Sequence, residues 1–92
     1  MTEIHMDIDS VRAVIQLLER KKGELTSFIR DTSIAVNGLE GGDGIGDAPA
    51  QFYGEYEELR HAIMKQVDAM GGLADRLRKA IADFEAAAAK LS

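Results

Sequence analysis

The residues best placed to do chemistry lie in one stretch, Gly38 to Pro49, which reads "GLEGGDGIGDAP" and holds five of the nine glycines and the only proline. A glycine-rich loop ahead of a helix can cradle phosphate on free backbone amides. That use needs a preceding strand and a Gly-Lys-Ser/Thr ending, and this stretch has neither. Its acids, Glu40, Asp43 and Asp47, would repel phosphate, and it contains no lysine or arginine. The same acids could attract calcium, yet the ligand order of an EF-hand and its closing glutamate are missing. The stretch therefore reads as a turn between two helices. A second candidate is the alternation His5-x-Asp7-x-Asp9, which would offer three ligands to a divalent ion if that terminus were extended. Polar chain ends fray more often than they bind metal. The other histidine, His61, stands beside Arg60 on a charged helix side and reads as a surface residue. No catalytic, metal-binding or cofactor-binding residue is expected.

The totals point the same way. Ninety-two residues make one small domain, which needs tight helix packing or a partner to bury enough surface. There is no cysteine, so no disulfide or thiolate metal site. Sixteen acids against eleven bases leave a net charge of −5, and the densest basic run, Arg20-Lys21-Lys22, is flanked by Glu19 and Glu24. That is a solvated helix face rather than a nucleic-acid footprint. The opening "MTEIHMDIDS" lacks the basic and apolar regions of a Sec signal peptide. No apolar run approaches the ~20 residues that span a bilayer.

Apolar periodicity defines the elements. In the first half Val11, Leu18, Leu25, Thr32 and Leu39 recur every seventh residue, with Val14, Phe28 and Ala35 in a row three residues on and Lys21 interrupting it. One place beyond stand Ile15, Ile29 and Val36, interrupted by Lys22. The second half carries Tyr56, Ile63, Met70, Leu77, Phe84 and Leu91 in one row. Phe52, Leu59, Leu73, Ala80 and Ala87 form the next, broken by Gln66, and Val67, Ala74, Ile81 and Ala88 form a third. Such stripes belong to amphipathic helices in coiled-coil-like contact. The spacing predicts helix one over about 9–39, a turn over about 40–47 and helix two over about 48–91, as a single domain. Helix two would be roughly 60 Å long. Asp9 or Ser10 is a candidate cap for helix one and Asp47 for helix two, with Pro49 in its first turn. Gly38 or Gly41 is a candidate end for helix one. Gly71-Gly72 marks a kink or a close approach. The fold class is all-α, an antiparallel two-helix hairpin. Three rows per helix exceed what a lone hairpin covers, so the expectation is assembly into a dimeric four-helix bundle. Its core and dimer interface would draw on Val11, Val14, Leu18, Leu25, Phe28, Phe52, Tyr56, Leu59, Ile63, Met70 and Leu77.

A chain of this length, with two amphipathic helices around a glycine-bearing turn, resembles the WXG-motif family of small proteins exported by type VII (ESX) secretion systems. It is most similar to the EspC-like branch, and the likeness is strongest from Gly42 onward. There is no tryptophan; Leu39-Glu40-Gly41 stands where the family has Trp-x-Gly. The family's export signal, Tyr-x-x-x-Asp/Glu late in helix two, is replaced by Phe84 with Ala88 at the acidic position. A looser pattern of apolar, acid and apolar residues is met by Ile81, Glu85 and Ala88, while Tyr53 to Glu57 has the strict spacing at the other end of the helix.

The resemblance implies a non-enzymatic protein that is cytoplasmic before export and then secreted or held at the cell surface by a signal-peptide-independent route. Its implied partners are a second copy or a related helical protein in a homodimer or heterodimer, the helical domain of a larger secreted effector, and a secretion ATPase. It would be exported itself, or target a co-secreted protein. A different class fits the heptads equally well: an intracellular coiled-coil adaptor or scaffold with no link to export.

Overall fold

The computed structural model describes residues 7–40 and 50–91. They form α1, Ile8–Glu40, and α2, Ala50–Leu91. Arg12 reaches Glu85, Glu19 reaches Arg78 and Tyr56 reaches Thr32, so the helices run antiparallel as a hairpin. The rod measures 70 × 18 × 16 Å, one pair of helices thick. His5, Gly41, Asp43, Asp47 and Pro49 lie outside the described residues.

The cap of α1 is Asp7, ahead of both candidates. Its Oδ1 accepts from the Ser10 amide at 3.2 Å and its Oδ2 from the Ser10 hydroxyl at 2.8 Å. A carboxylate there satisfies an amide that the first turn leaves free and also meets the positive end of the helix dipole. Gly38 does not end α1, which runs through it to Glu40 on ordinary helical backbone. At the other end of the chain, Lys90 lies in the last turn of α2, where a cation complements the dipole.

The rows sort by depth. Among the described residues the buried apolar side chains are Ile15, Ile29, Val67, Ala74 and Ile81. All belong to the third row of their helix, here the inner row. The first-named rows, from Val11 and from Tyr56, are half-buried and form the middle of each stripe, apart from the exposed Leu39 and Leu91. Ile15, Ala74 and Ile81 make a continuous cluster with Ile8, Val11, Leu18 and Leu77 packed against it. Knobs at alternating three- and four-residue steps interlock across such a seam.

Two polar devices set the register. Lys22 occupies an inner position between Ile15 and Ile29. Its stem runs over α2 so that Nζ would stand 3.4 Å from a Cβ at Gly71. The missing side chain leaves a notch that the end of the Lys22 side chain occupies, and Lys22 is half-buried there. Gly71-Gly72 thus marks a close approach by a side chain, and α2 continues through it without interruption. Nearer the turn, the Tyr56 hydroxyl lies 2.7 Å from Thr32 Oγ1 and 2.9 Å from Ser33 Oγ. Thr32 donates to the Phe28 carbonyl at 2.8 Å, which leaves its Oγ1 able to accept from Tyr56, whose hydroxyl also lies 3.5 Å from the Ile29 carbonyl. Tyr56→Phe removes all three contacts but leaves Thr32 its backbone partner. The expected cost is about 1 kcal/mol, read as a fall of roughly 4–8 °C in the melting temperature.

Candidate functional site: an unpaired apolar flank

The two long sides of the hairpin differ. On one, Arg12 pairs with Glu85 at 3.5 Å and Glu19 with Arg78 at 3.3 Å, and Arg78 also holds Asp75 at 3.0 Å. Arg12, Glu19, Arg78 and Glu85 each stand three residues before an inner position. Half-exposed pairs of this kind contribute little to stability, but they close that flank with charge and fix which edge of each stripe faces it.

Helix geometry then puts the residue preceding each inner position on the opposite flank. Those are the outer rows: Val14, Phe28 and Ala35 on α1, and Phe52, Leu59, Leu73, Ala80 and Ala87 on α2. Their large members remain open. Val14 is 46% exposed, Phe28 45%, Leu59 48% and Leu73 47%. Leu17, next to Val14 on the same side, is 46% exposed. Phe52 packs edge-on against Tyr53 with ring centres 5.5 Å apart and still shows 38% of its surface. The interruptions in these rows, Lys21 and Gln66, are exposed as well. With the half-buried middle rows beside them, the outer rows make an apolar flank along the rod, interrupted at Lys21 and Gln66. Scattered exposed leucines mean little, whereas a contiguous apolar strip marks a contact surface.

No family model matches this chain. No curated protein and no solved structure matches it either.

The other sequence candidates distribute as follows. Of the interface residues, Val11, Leu18, Leu25, Tyr56, Ile63, Met70 and Leu77 are half-buried in the middle rows; Val14, Phe28, Phe52 and Leu59 lie on the open flank. Ile81 is buried in the seam and Phe84 is half-buried beside it, while Glu85 is tied to Arg12 and Ala88 is exposed. Leu39 is 38% exposed on the last turn of α1. His61 is exposed in a shallow groove with Glu57, Glu58 and Lys65. Asp7 and Asp9 remain of the His5 alternation, and no group of three or more metal-ligating side chains exists among the described residues. None of their helices is long and apolar enough to cross a membrane.

Sequence reasoning missed the difference between the flanks. The signal was present in the positions following the middle rows, which read Arg12, Glu19, Thr26 and Ser33 on α1 against Val14, Lys21, Phe28 and Ala35 for the outer row.

Proposed function

We propose that this is a non-enzymatic helical interaction protein that packs its apolar flank against a second pair of helices in a four-helix bundle. We further propose that it leaves the cell by a type VII (ESX) route, itself or as the targeting partner of a co-exported protein. The observation that carries the reading is the open flank from Val14 and Phe28 to Phe52, Leu59 and Leu73. Among the described residues nothing covers that strip, and stable domains enclose a core between packed layers. Support for the export setting is the resemblance of the chain in length, hairpin plan and the spacing of Ile81, Glu85 and Ala88.

The export step is tested at Glu85. Truncation after Lys79 would also remove Ile81 from the seam, so it confounds signal with stability. Glu85→Gln and Arg12→Gln break the same ion pair, but only the first removes the acid. In a host with a type VII system, Glu85→Gln is expected to lower secreted protein at least tenfold while Arg12→Gln exports normally. Equal export of both variants would remove Glu85 from the signal.

A further inference from the structure

We infer that Asn37-Gly38 is a spontaneous modification site: the last turn of α1 opens locally, the asparagine deamidates, and the isoaspartyl product leaves α1 ending at Val36. This holds whatever covers the apolar flank.

The first ground is the reactive pair. Asn37 is the only asparagine in the chain, and Gly38 follows it. The backbone nitrogen of the next residue attacks an asparagine side chain, and a glycine, having no Cβ, obstructs that approach least. The Gly38 nitrogen gives its proton to water and bonds to Asn37 Cγ. The Cγ–Nδ2 bond then breaks, ammonia leaves with a proton from water, and a five-membered succinimide remains. Water opens that ring at either carbonyl, giving an aspartate or an isoaspartate at the position. Nothing is oxidised or reduced, and water is the only co-reactant. An intact helix prevents the attack. Its ladder engages the Gly38 amide with the Ile34 carbonyl four residues back, and a helical ψ of about −42° turns the nitrogen away from the Asn37 side chain.

The second ground is how weakly the structure holds that turn. α1 has no basic residue in its last turn to complement the helix dipole. Asn37 and Gly38 are both poor helix formers. Asn37, Gly38 and Leu39 are exposed, and a Cβ added at Gly38 would meet nothing within 4 Å. Towards the turn, the last hydrogen bonds from α1 to α2 among the described residues are those of Thr32 and Ser33 to Tyr56. Asn37 edges an open groove shared with Tyr53 and Arg60, and its side-chain amide has no hydrogen-bond partner among the described residues. Opening the helix from Asn37 onward therefore uncovers no buried side chain and breaks no bond between the helices. Openings of this kind cost far less than global unfolding. The isoaspartyl product routes the main chain through one additional carbon, which the regular ladder does not accommodate, so the turn cannot close again.

The full chain is held at 37 °C and neutral pH beside a synthetic peptide of residues 33–42, and both are followed by mass spectrometry and peptide mapping. The expected result is a gain of one mass unit confined to Asn37, at least tenfold slower than in the peptide, a factor equal to about 1.4 kcal/mol of opening. In 1 M urea the rate is expected to change less than twofold, whereas a route through global unfolding would quicken about fivefold. Leu39→Arg, which adds a cation to the last turn, is expected to slow the reaction about two- to fivefold. In the isoaspartyl product the amides of Leu39 and Glu40 are expected to exchange hydrogen as fast as in the peptide. A chain still unmodified after a hundred peptide half-lives overturns the site. A rate equal to that of the peptide, or a fivefold rise in urea, overturns local opening as its gate. Amides that stay protected in the isoaspartyl product overturn the shortening of α1.

Discussion

Ala74→Asp is expected to unfold the hairpin. Ala74 is the one described residue with no exposed surface, and it sits where Ile15 and Ile81 close the seam. A carboxylate there has no cation within the cluster, and an uncompensated buried charge costs about 3–5 kcal/mol. Domains of this size hold roughly 5–14 kcal/mol in all, and a seam with so few buried side chains belongs at the low end. Circular dichroism at 25 °C should show most of the helical signal lost. Ala82→Asp is the control: it adds the same charge to α2 about two turns further on, at an exposed position, and should stay within about 1 kcal/mol of the parent. A folded Ala74→Asp protein melting with the parent would mean that the helices pair through rows other than the inner ones.

The second large effect has the opposite sign. Replacing Gly23, Gly54 and Gly72 together by alanine is expected to stabilise the protein by about 3 kcal/mol, close to 1 for each glycine in a helix interior. A Cβ added at any of the three would meet nothing within 4 Å, and none has a backbone conformation that disfavours a side chain. The positions are far enough apart for their effects to add. At roughly 4–8 °C per kcal/mol, the melting temperature should rise by about 12–24 °C. Gly71 is left out because its notch carries the Lys22 side chain. If one replacement instead lowers the melting temperature of the assembled protein, a partner helix approaches at that glycine, and the single variants identify which. Gly23 and Gly72 lie on the sides of the rod away from the apolar flank, so a partner packed on that flank predicts no such loss there.

The candidate site was partly legible. Every residue on the open flank is readable as apolar and periodic, and the excess of apolar rows over what a hairpin can cover already asks for a partner. What could not be read was the division of labour among the rows. In the sequence the Val11 and Tyr56 rows look like the principal seam, being the more complete, and the Ile15 and Val67 rows look like surplus. In the structure the surplus rows are the buried ones. Lys22 contributed to the misreading, because a lysine in the row through Ile15 and Ile29 argues against burial until Gly71 is seen beneath it. The export residues show a related effect. Ile81, Phe84 and Glu85 are contiguous in pattern, but the fold engages Ile81 with the seam and Glu85 with Arg12, so a signal read there would be read from a surface that α1 already touches.

The sequence by itself determined the two helices, their lengths to within a few residues and the width of each apolar stripe. These follow from local physics: backbone propensity, short-range capping, and a side-chain period set by the helix itself. Even so, the cap fell on Asp7, because the hydroxyl and amide of Ser10 together hold its carboxylate. Only the tertiary structure decided which edge of each stripe turns inward. That choice depends on the register between segments 24 to 73 residues apart, fixed by Arg12 with Glu85, Tyr56 with Thr32 and Lys22 over Gly71. Periodicity states how wide an apolar face is and is silent on the angle at which it meets another. Rotation about the helix axis is set by contacts between the helices, and it is this rotation that leaves one flank of the rod charged and the other apolar.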